Sequence, residues 1–269
     1  MNTAKIIALT NPILSAWETQ TESPIGAEAF IAYTARVSNP SNQSNTLTAP
    51  KLLKYLIEHK HWSPFEMVSI TMEINTTRDI SHQIIRHRSF SFQEFSQRYA
   101  DPTKDMQFVT REARLQDAKN RQNSIEVDDL QLQDGWEFRQ DELTKLAKGY
   151  YKWAIDNDIA KEQARAILPE GLTTTRLYMS GTLRSWIHYI DVRAEEGTQK
   201  EHRQVALAAR TEILKHFPSL SDYWFEDMTW NVGEPRGDTM VTSLDGLEQT
   251  DYGYNFKDKP KSWWWKFWS

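Results

Sequence analysis

The side chains best suited to chemistry lie in one fourteen-residue segment, residues 86–99. The segment holds three arginines, one histidine, three serines and one glutamate, with four aromatic residues among them. Burying such a cluster costs free energy unless its polar groups are paired. Arginine binds phosphate through two parallel hydrogen bonds, and aromatic rings or guanidinium planes stack on a base. The segment therefore predicts a site for an anionic ligand that carries flat rings.

The order of residues within this segment resembles a family motif. The flavin-dependent thymidylate synthases share the pattern R-H-R-x-x-S-x-N-E-x-S-x-R-Y, and Gln93 stands here where that family usually has asparagine. Because eight positions agree at fixed spacing, the resemblance is specific. The matching residues are Arg86, His87, Arg88, Ser91, Glu94, Ser96, Arg98 and Tyr99.

Three further segments are similar to the same family and follow in the family order. Residues 61–66 are similar to H-x-[ST]-P-F-E, and residues 164–169 are similar to A-R-x-x-L-P. Residues 182–201 resemble a longer run that begins N-x-R-S, with Thr182 in place of asparagine and Gly197 where some members have histidine. The matches in this run are Arg184, Ser185, His188, Arg193, Ala194, Gln199 and Glu201.

The resemblance implies an activity, a set of cofactors and an architecture. The family methylates dUMP reductively to dTMP, with methylenetetrahydrofolate as the carbon donor and NADPH as the reductant acting through bound FAD. Its fold is α+β, a central antiparallel sheet with long helices, and it forms homotetramers whose active sites are shared between subunits. We therefore expect FAD as the cofactor, dUMP, folate and NADPH as ligands, and a homotetramer.

The resemblance also assigns roles to individual residues. Arg193 is expected to be catalytic: arginine stays protonated, so it would stabilise negative charge that develops on the pyrimidine ring. Ser96, Arg98 and Arg165 suit the nucleotide phosphate. The expected cofactor-binding residues are His61, Ser63, Arg86, His87, Arg88, Glu94, Thr182, Arg184 and His188. The expected substrate-binding residues are Gln83, Arg86, Glu94, Ser96, Arg98, Arg165 and Arg193.

Two alternative functions stay open: a flavin enzyme that acts on another pyrimidine nucleotide, and a non-catalytic nucleotide-binding protein. A platform for single-stranded nucleic acid would also use alternating aromatic residues and arginines. The carboxylate of Glu94 within the segment and the net charge of −5 argue against it. We expect no metal site, because the spacing of the histidines matches no zinc motif.

Composition limits the chemistry further. The chain has 269 residues and no cysteine. It therefore has no disulfide framework, thiolate metal site or cysteine nucleophile, and it cannot attack a pyrimidine ring as the other class of thymidylate synthase does. No segment contains the roughly 20 apolar residues that a membrane helix needs. We expect a cytoplasmic protein with no membrane or nucleic-acid partner.

The elements that would position these residues are predicted from periodicity. Alternation over residues 68–74 predicts a half-buried strand, and residues 6–9 predict an opening strand. Helical spacing and caps predict helices over residues 24–36, 52–57, 77–86, 143–159, 175–192 and 199–217. The helix at 77–86 would carry Arg78, His82 and Arg86 on one face.

Three regions follow from this pattern. Residues 1–230 are expected to form the catalytic domain. Within it, the polar residues 101–141 are expected to be an insertion of one or two exposed helices joined by loops. Residues 231–269 are expected to form an irregular, tryptophan-rich tail.

Overall fold

The computed structural model describes residues 2–14 and 25–226. The first half contains β1 (Thr3–Leu9), α1 (Ala27–Ala35), α2 (Ala49–Glu58), β2 (Ser69–Thr77), α3 (Arg78–Ile84) and β3 (Ser91–Glu94). The second half contains α4 (Pro102–Asp105), β4 (Arg114–Gln116), β5 (Ser124–Glu126), α5 (Leu130–Asp156), α6 (Lys161–Ala164), β6 (Thr174–Thr182), α7 (Leu183–Arg193), α8 (Lys200–Leu214) and α9 (Ser221–Glu226). The predicted tail at 231–269 and the predicted helix start at residue 24 lie outside the described residues.

The centre of the fold is a four-stranded antiparallel sheet with the strand order β1-β2-β6-β3. Alternate residues of β2 and β6 point into the core, because successive side chains of a strand face opposite sides of the sheet. The buried residues include Ile70, Met72 and Ile74 on β2, and Leu177 and Met179 on β6. The predicted strand at 68–74 and the α+β architecture are confirmed.

Helices α7 and α8 pack together, and α8 also packs on β1. Helix α7 buries Trp186, Tyr189 and Ile190, while α8 buries Val205 and Ile213. The indole nitrogen of Trp186 donates to the backbone carbonyl of Ile70 at 3.1 Å. A buried indole N–H needs such a partner. Helix α7 is thereby tied to the central strand, and the face of α7 that carries Arg193 is held in place.

Two helix predictions are wrong at their boundaries. The helix expected over residues 175–192 is strand β6 in its first half and becomes helix α7 only at Leu183. Burial of Thr175, Leu177 and Met179 at alternate positions is the period of a strand. The helix expected over residues 77–86 ends at Ile84, so Arg86 lies beyond it rather than on one helical face with His82.

The polar insertion also differs from its prediction. Residues 101–141 hold the short helix α4, the hairpin of β4 and β5, and the beginning of the 27-residue helix α5, which continues to Asp156. Two glutamines of α5 bind the backbone of the preceding segment. Gln140 accepts from Arg111 N at 2.9 Å and donates to Arg111 O at 2.8 Å, and Gln133 bonds Ala113 in the same way. In the sequence these glutamines suggest a solvated loop, but in the structure they bind the backbone of residues 111–113 to helix α5.

Within residues 2–14 and 25–226, no helix is long and apolar enough to cross a membrane. The same part of the chain contains no cluster of three or more histidine, aspartate or glutamate side chains that could hold a metal ion. The expected cytoplasmic location stays a prediction.

Candidate active site

The R-H-R segment lies between α3 and β3 and is anchored by an aromatic ring. The ring of Phe90 packs edge-on against Trp186 at 4.9 Å between centroids. It also lies directly over Gly181 on β6, where a Cβ would come within 2.5 Å of Phe90 Cδ1. Only glycine permits this approach, because real Cβ contacts are never that short. Phe90 therefore fixes the segment that presents Arg86 and Arg88 to solvent.

Arg193, at the end of α7, points at His87. Its Nε donates to His87 Nε2 at 2.9 Å. Since that ring nitrogen accepts, His87 is neutral and carries its proton on Nδ1. Burial, then the positive charge of Arg193, lowers the pKa of His87 to about 4, with smaller effects from His188 and Arg86. The guanidinium of Arg193 is thus oriented by a neutral partner and keeps its full charge.

A second buried histidine lies behind this pair. His202 on α8 is completely buried. Its Nδ1 lies 3.2 Å from Gln83 Oε1, and its Nε2 lies 3.2 Å from the hydroxyl of Tyr189. Because an amide oxygen only accepts, Nδ1 must donate to Gln83, which leaves Nε2 to accept from Tyr189. Burial, then the charge of Arg193, lowers the pKa of His202 to about 3, and burial raises that of Tyr189.

The network continues from Gln83 into the insertion. Gln83 donates to Gln199 Oε1 at 2.8 Å, and Gln199 donates to Glu201 Oε2 at 2.9 Å. Arg114 on β4 pairs with the other oxygen of Glu201. Burial would raise the pKa of Glu201, but the hydrogen bond and the charge of Arg114, a backbone hydrogen bond and the charge of Arg111 together lower it. The Gln83 amide, a predicted substrate contact, is therefore held at both ends.

Residues 61–66 contact α7 through an ion pair. Glu66, in the 3-10 turn Ser63–Met67, pairs with Arg184 in the first turn of α7. His61, two residues before this turn, and Ser63, its first residue, are exposed, and His188 is exposed one turn after Arg184. Thr182 is the N-cap of α7, where its hydroxyl accepts from Ser185 N at 3.3 Å. The structure thus brings the predicted cofactor-binding residues of segments 61–66 and 182–188 to neighbouring elements.

Glu94 lies in an ion cluster at the end of β3. It accepts from the hydroxyl of Thr175 at 2.9 Å, and Arg78 lies 3.6 Å from the same oxygen. Arg78 and His82 also reach Glu170, at 3.8 and 3.4 Å. The predicted ligand-binding role of Glu94 stays a prediction, and its observed contacts are with side chains of β6 and α3.

The predicted phosphate-binding residues come from two segments that touch. Arg98 pairs with Glu162 on α6 at 3.3 Å, and Ser96 Oγ accepts from the backbone of Arg98 at 3.4 Å. Lys161 donates to the carbonyl of Tyr99 at 3.0 Å. Arg165 follows α6 directly. Residues 96–99 are therefore docked on the helix that leads into Arg165.

Sequence reasoning does not single out Tyr189, His202 or Arg114. Tyr189 lies one turn before Arg193 on α7, and His202 follows the matched Glu201 directly. Their positions beside motif residues are the available signal. Arg114 carries no such signal, because it lies in the insertion.

Two solved structures share the fold of this chain. A crystal structure of the UMP/dUMP methylase PolB from Streptomyces cacaoi, bound with 5-Br dUMP, has a TM-score of 0.66 and 21% identity. It covers 84% of this chain and 95% of that chain. A structure of the same methylase bound with 5-Br UMP has a TM-score of 0.64 and 21% identity, covering 84% of this chain and 94% of that chain. The likeness shows a shared fold.

The sequence comparisons then give the family. Residues 21–219 match the family model described as thymidylate synthase complementing protein. A probable flavin-dependent thymidylate synthase of Paramecium bursaria Chlorella virus 1 is 48% identical over 218 residues, 81% of this chain and 96% of the relative. A flavin-dependent thymidylate synthase of Synechocystis sp. is 50% identical over 198 residues, 74% of this chain and 89% of the relative. The chain belongs to the flavin-dependent thymidylate synthase family, and the resemblance seen in residues 86–99 is confirmed.

Proposed function

We propose that this chain methylates dUMP reductively to dTMP, with methylenetetrahydrofolate giving the carbon and NADPH the electrons. Family membership makes the chain a flavin-dependent enzyme with FAD as its cofactor. The observation that carries the residue assignment is the bond from Arg193 Nε to His87 Nε2. It orients a permanently charged group at a position that the family motif assigns to the site.

Arg193 has a clear electrostatic task in this reaction. A pyrimidine ring must become electron-rich at carbon 5 to accept a one-carbon unit, and charge then develops on the ring oxygen and nitrogen. Because His87 takes only Nε, the other guanidinium N–H groups suit that developing charge. Because His87 is neutral, it adds no positive charge that would repel Arg193. Arg193 therefore acts as a fixed electrostatic stabiliser and not as a base.

The nucleotide phosphate would be held by Ser96, Arg98 and Arg165. These residues lie on two segments that contact each other, and arginine binds phosphate through paired N–H groups. Arg98 already pairs with the carboxylate of Glu162, so a bound phosphate would replace that carboxylate as the partner of Arg98. Gln83, with its amide fixed by Gln199 and His202, suits a hydrogen bond to the pyrimidine edge.

The residues present fit FAD. Its pyrophosphate needs cations, and Arg86, Arg88 and Arg184 are exposed on neighbouring elements together with His61 and His188. FAD supplies the redox chemistry when it is bound, and the protein supplies binding and orientation. We assign the cofactor to Arg86, His87, Arg88, Arg184 and His188, with His61, Ser63, Glu94 and Thr182 as further contacts.

We also propose that the working form is a homotetramer with shared sites. Arg86 and Arg88 are exposed on one surface, while Arg98 and Arg165 lie on another pair of segments. A second subunit could bring these groups together over one ligand. The family's shared active sites support this arrangement.

The reaction can be tested on the purified protein. An anaerobic absorbance spectrum should show bound flavin that NADPH bleaches, and dTMP should form when dUMP and methylenetetrahydrofolate are added. A colourless protein that cannot be reconstituted with FAD would disprove the proposal.

A related function has one specific observation in its favour. Two solved structures with this fold are of a UMP/dUMP methylase, so the ribonucleotide UMP is a second candidate substrate. Offering dUMP, UMP and dCMP side by side decides between them. Faster methylation of UMP than of dUMP would replace our substrate assignment and leave the flavin chemistry in place.

A further inference from the structure

A series of hydrogen-bonded side chains connects the insertion to the amide of Gln83. It begins at Arg114 and passes through Glu201 and Gln199 to Gln83, and we name these four residues the amide network. The amide group of a glutamine can bond in two orientations, with its oxygen and nitrogen exchanged. Each orientation offers different groups to a ligand, so the group that sets the orientation of Gln83 also sets what Gln83 can recognise.

The carboxylate of Glu201 fixes the direction of every bond in the amide network. An ionised carboxylate has no hydrogen to donate, so the group of Gln199 that lies 2.9 Å from it must be the amide nitrogen. The oxygen of Gln199 then faces Gln83 and accepts from the amide nitrogen of Gln83 at 2.8 Å. Exchanging the oxygen and nitrogen of Gln199 would bring two acceptors into contact with no hydrogen between them.

Arg114 holds Glu201 in the ionised form. The side chains of both residues are only 12% exposed, and they pair directly. Burial favours the neutral form of a carboxyl group, whereas a cation beside it favours the charged form. Arginine stays protonated in proteins, so its charge is always present. The direction of the amide network is therefore set where the insertion meets the beginning of α8.

The other end of the amide network imposes no direction of its own. Gln83 Oε1 lies 3.2 Å from His202 Nδ1, and His202 Nε2 lies 3.2 Å from the hydroxyl of Tyr189. A neutral imidazole can carry its proton on either nitrogen, and a tyrosine hydroxyl can donate or accept. His202 therefore adopts the tautomer that suits Gln83, and the orientation of Gln83 is decided at Glu201.

The orientation of Gln83 determines which pyrimidine its amide can pair with. A primary amide has two N–H donors and two lone pairs on its oxygen. Gln199 takes one donor and His202 takes one lone pair, which leaves one of each for a ligand. Uracil has an N–H at position 3 beside a carbonyl oxygen, whereas cytosine has an unprotonated nitrogen beside an amino group. The two bases therefore need opposite orientations of the amide.

We infer that Glu201 and Arg114 are positioning residues that make Gln83 select uracil over cytosine. The inference rests on the proposed function, because it needs a pyrimidine nucleotide at Gln83. Recognition of cytosine would require the amides of Gln83 and Gln199 to reverse together, and the carboxylate of Glu201 opposes that reversal. A pair of hydrogen bonds of this kind discriminates against the wrong base by about 10–100-fold.

Glu201→Gln tests the inference because it should reverse the amide network. Arg114 has only donors, so the introduced amide turns its oxygen to Arg114 and its nitrogen to Gln199. The amides of Gln199 and Gln83 then reverse in turn.

The measurement is the dissociation constant of dUMP and of dCMP, on FAD-loaded protein without folate or NADPH. In Glu201→Gln we expect the ratio of the dCMP constant to the dUMP constant to fall by about 10–100-fold. The variant should bind dCMP more tightly than wild type does, and dUMP less tightly. A merely structural defect would weaken both nucleotides. An unchanged ratio, or equal weakening of both, would overturn the inference.

Two further variants separate the amide network from a general loss of charge or folding. Glu112→Gln is the matched control: Glu112 also lies beside Arg114, at 3.5 Å, but is outside the network, so the ratio should keep its wild-type value. Gln199→Met interrupts the network without reversing it, so the ratio should fall by less than in Glu201→Gln. It also serves as the test if Glu201→Gln does not fold. An equal fall in Glu112→Gln, or no fall in Gln199→Met, would refute the inference.

Binding and turnover together separate this inference from the proposed function. Formation of dTMP by wild type tests the reaction, and the binding ratio tests the amide network. If wild type makes dTMP but the ratio is the same in Glu201→Gln, the proposed function stands and the inference is wrong. If no dTMP forms but the ratio falls as expected, the inference stands and the proposed reaction is wrong. Wild type that binds neither nucleotide would contradict both.

Discussion

Two neutral histidines set the chemistry around Arg193 at the scale of single residues. His87 accepts from Arg193, and His202 holds Gln83 and Tyr189, so both imidazoles have one defined tautomer. An imidazolium at either position would face the charge of Arg193 in a buried setting. The site therefore uses histidine as a rigid hydrogen-bonding group and not as a proton carrier.

The first residue-scale prediction concerns Arg193→Lys. Lysine keeps the charge but loses the planar fork that His87 orients. We expect a folded variant that retains FAD, with turnover to dTMP lower by about 10²–10³, the usual effect of removing one oriented donor. The control is Arg176→Lys on the exposed part of β6, which should turn over normally. Near-normal turnover in Arg193→Lys would refute the catalytic assignment.

The second residue-scale prediction concerns acid stability. In the unfolded chain a histidine has a pKa near 6.5, whereas in the folded protein the pKa of His202 is lowered to about 3. As the pH falls below 6.5, the unfolded state binds a proton that the folded state does not bind, so the free energy of unfolding falls. His202→Gln cannot titrate and can keep both hydrogen bonds. Between pH 5.5 and 4.5 its free energy of unfolding should fall less steeply than wild type, by about 1.4 kcal/mol per pH unit.

Urea unfolding at several pH values measures this slope. His216→Gln is the matched control, because His216 is exposed and follows the same helix. We expect the control to keep the wild-type slope. Equal slopes for wild type and His202→Gln would mean that His202 does not resist protonation in the folded state.

At the scale of elements, the contact of Phe90 with β6 is the most constrained. Gly181→Ala would drive a methyl group into the ring of Phe90, with contacts of 2.5 and 2.7 Å. We expect a loss of about 1–3 kcal/mol, typical of overpacking, and weaker FAD retention because the ring anchors residues 86–88. Calorimetry and desalting with FAD measure the two effects.

Two variants make the Gly181 experiment specific. Gly197→Ala should have little effect, because a Cβ there meets nothing within 4 Å. Adding Phe90→Leu to Gly181→Ala removes the ring that is in the way and should recover part of the stability. If the single variant is as stable as wild type, Phe90 does not anchor the segment.

The sequence predicts some elements well and others poorly, for physical reasons. Strand β2 is recognised because Ile70, Met72 and Ile74 alternate with polar residues. Strand β6 is missed because its buried positions include Thr175, which looks like a surface residue, and because the helical spacing of α7 starts directly after it. Local periodicity therefore locates elements only where burial follows hydrophobicity.

The same limit applies to the candidate site. Motif spacing selects Arg86, His87 and Arg193, and the structure places the last two in contact. Motif spacing gives no sign that Gln83 and Glu201 are joined through Gln199, or that Arg114 completes the network. Such contacts join residues far apart in the chain. The motif thus predicts the residues of the candidate site, and only the fold identifies the residues that hold them in position.

At the scale of the whole molecule, the match to the family ends before the chain does. The family model covers residues 21–219, and residues 262–269 contain four tryptophans in eight positions. That segment lies outside the described residues. So apolar a sequence usually marks an interface. Since the matched family region contains every predicted site residue, the last residues should not take part in catalysis.

The corresponding prediction is that deleting residues 261–269 leaves FAD binding and dTMP formation per folded subunit within about twofold of wild type, a change worth roughly 0.4 kcal/mol. We expect a lower melting temperature or an altered assembly, because docking on its own subunit or a neighbour is the expected role of an apolar segment. Differential scanning calorimetry and light scattering measure these effects. A control that replaces Lys261 and Lys266 with glutamine keeps the tryptophans and should behave as wild type. A truncated protein that is well folded but inactive would show that the active site extends beyond the matched region, whereas one that is fully stable and fully assembled would point to an external partner for the tryptophans.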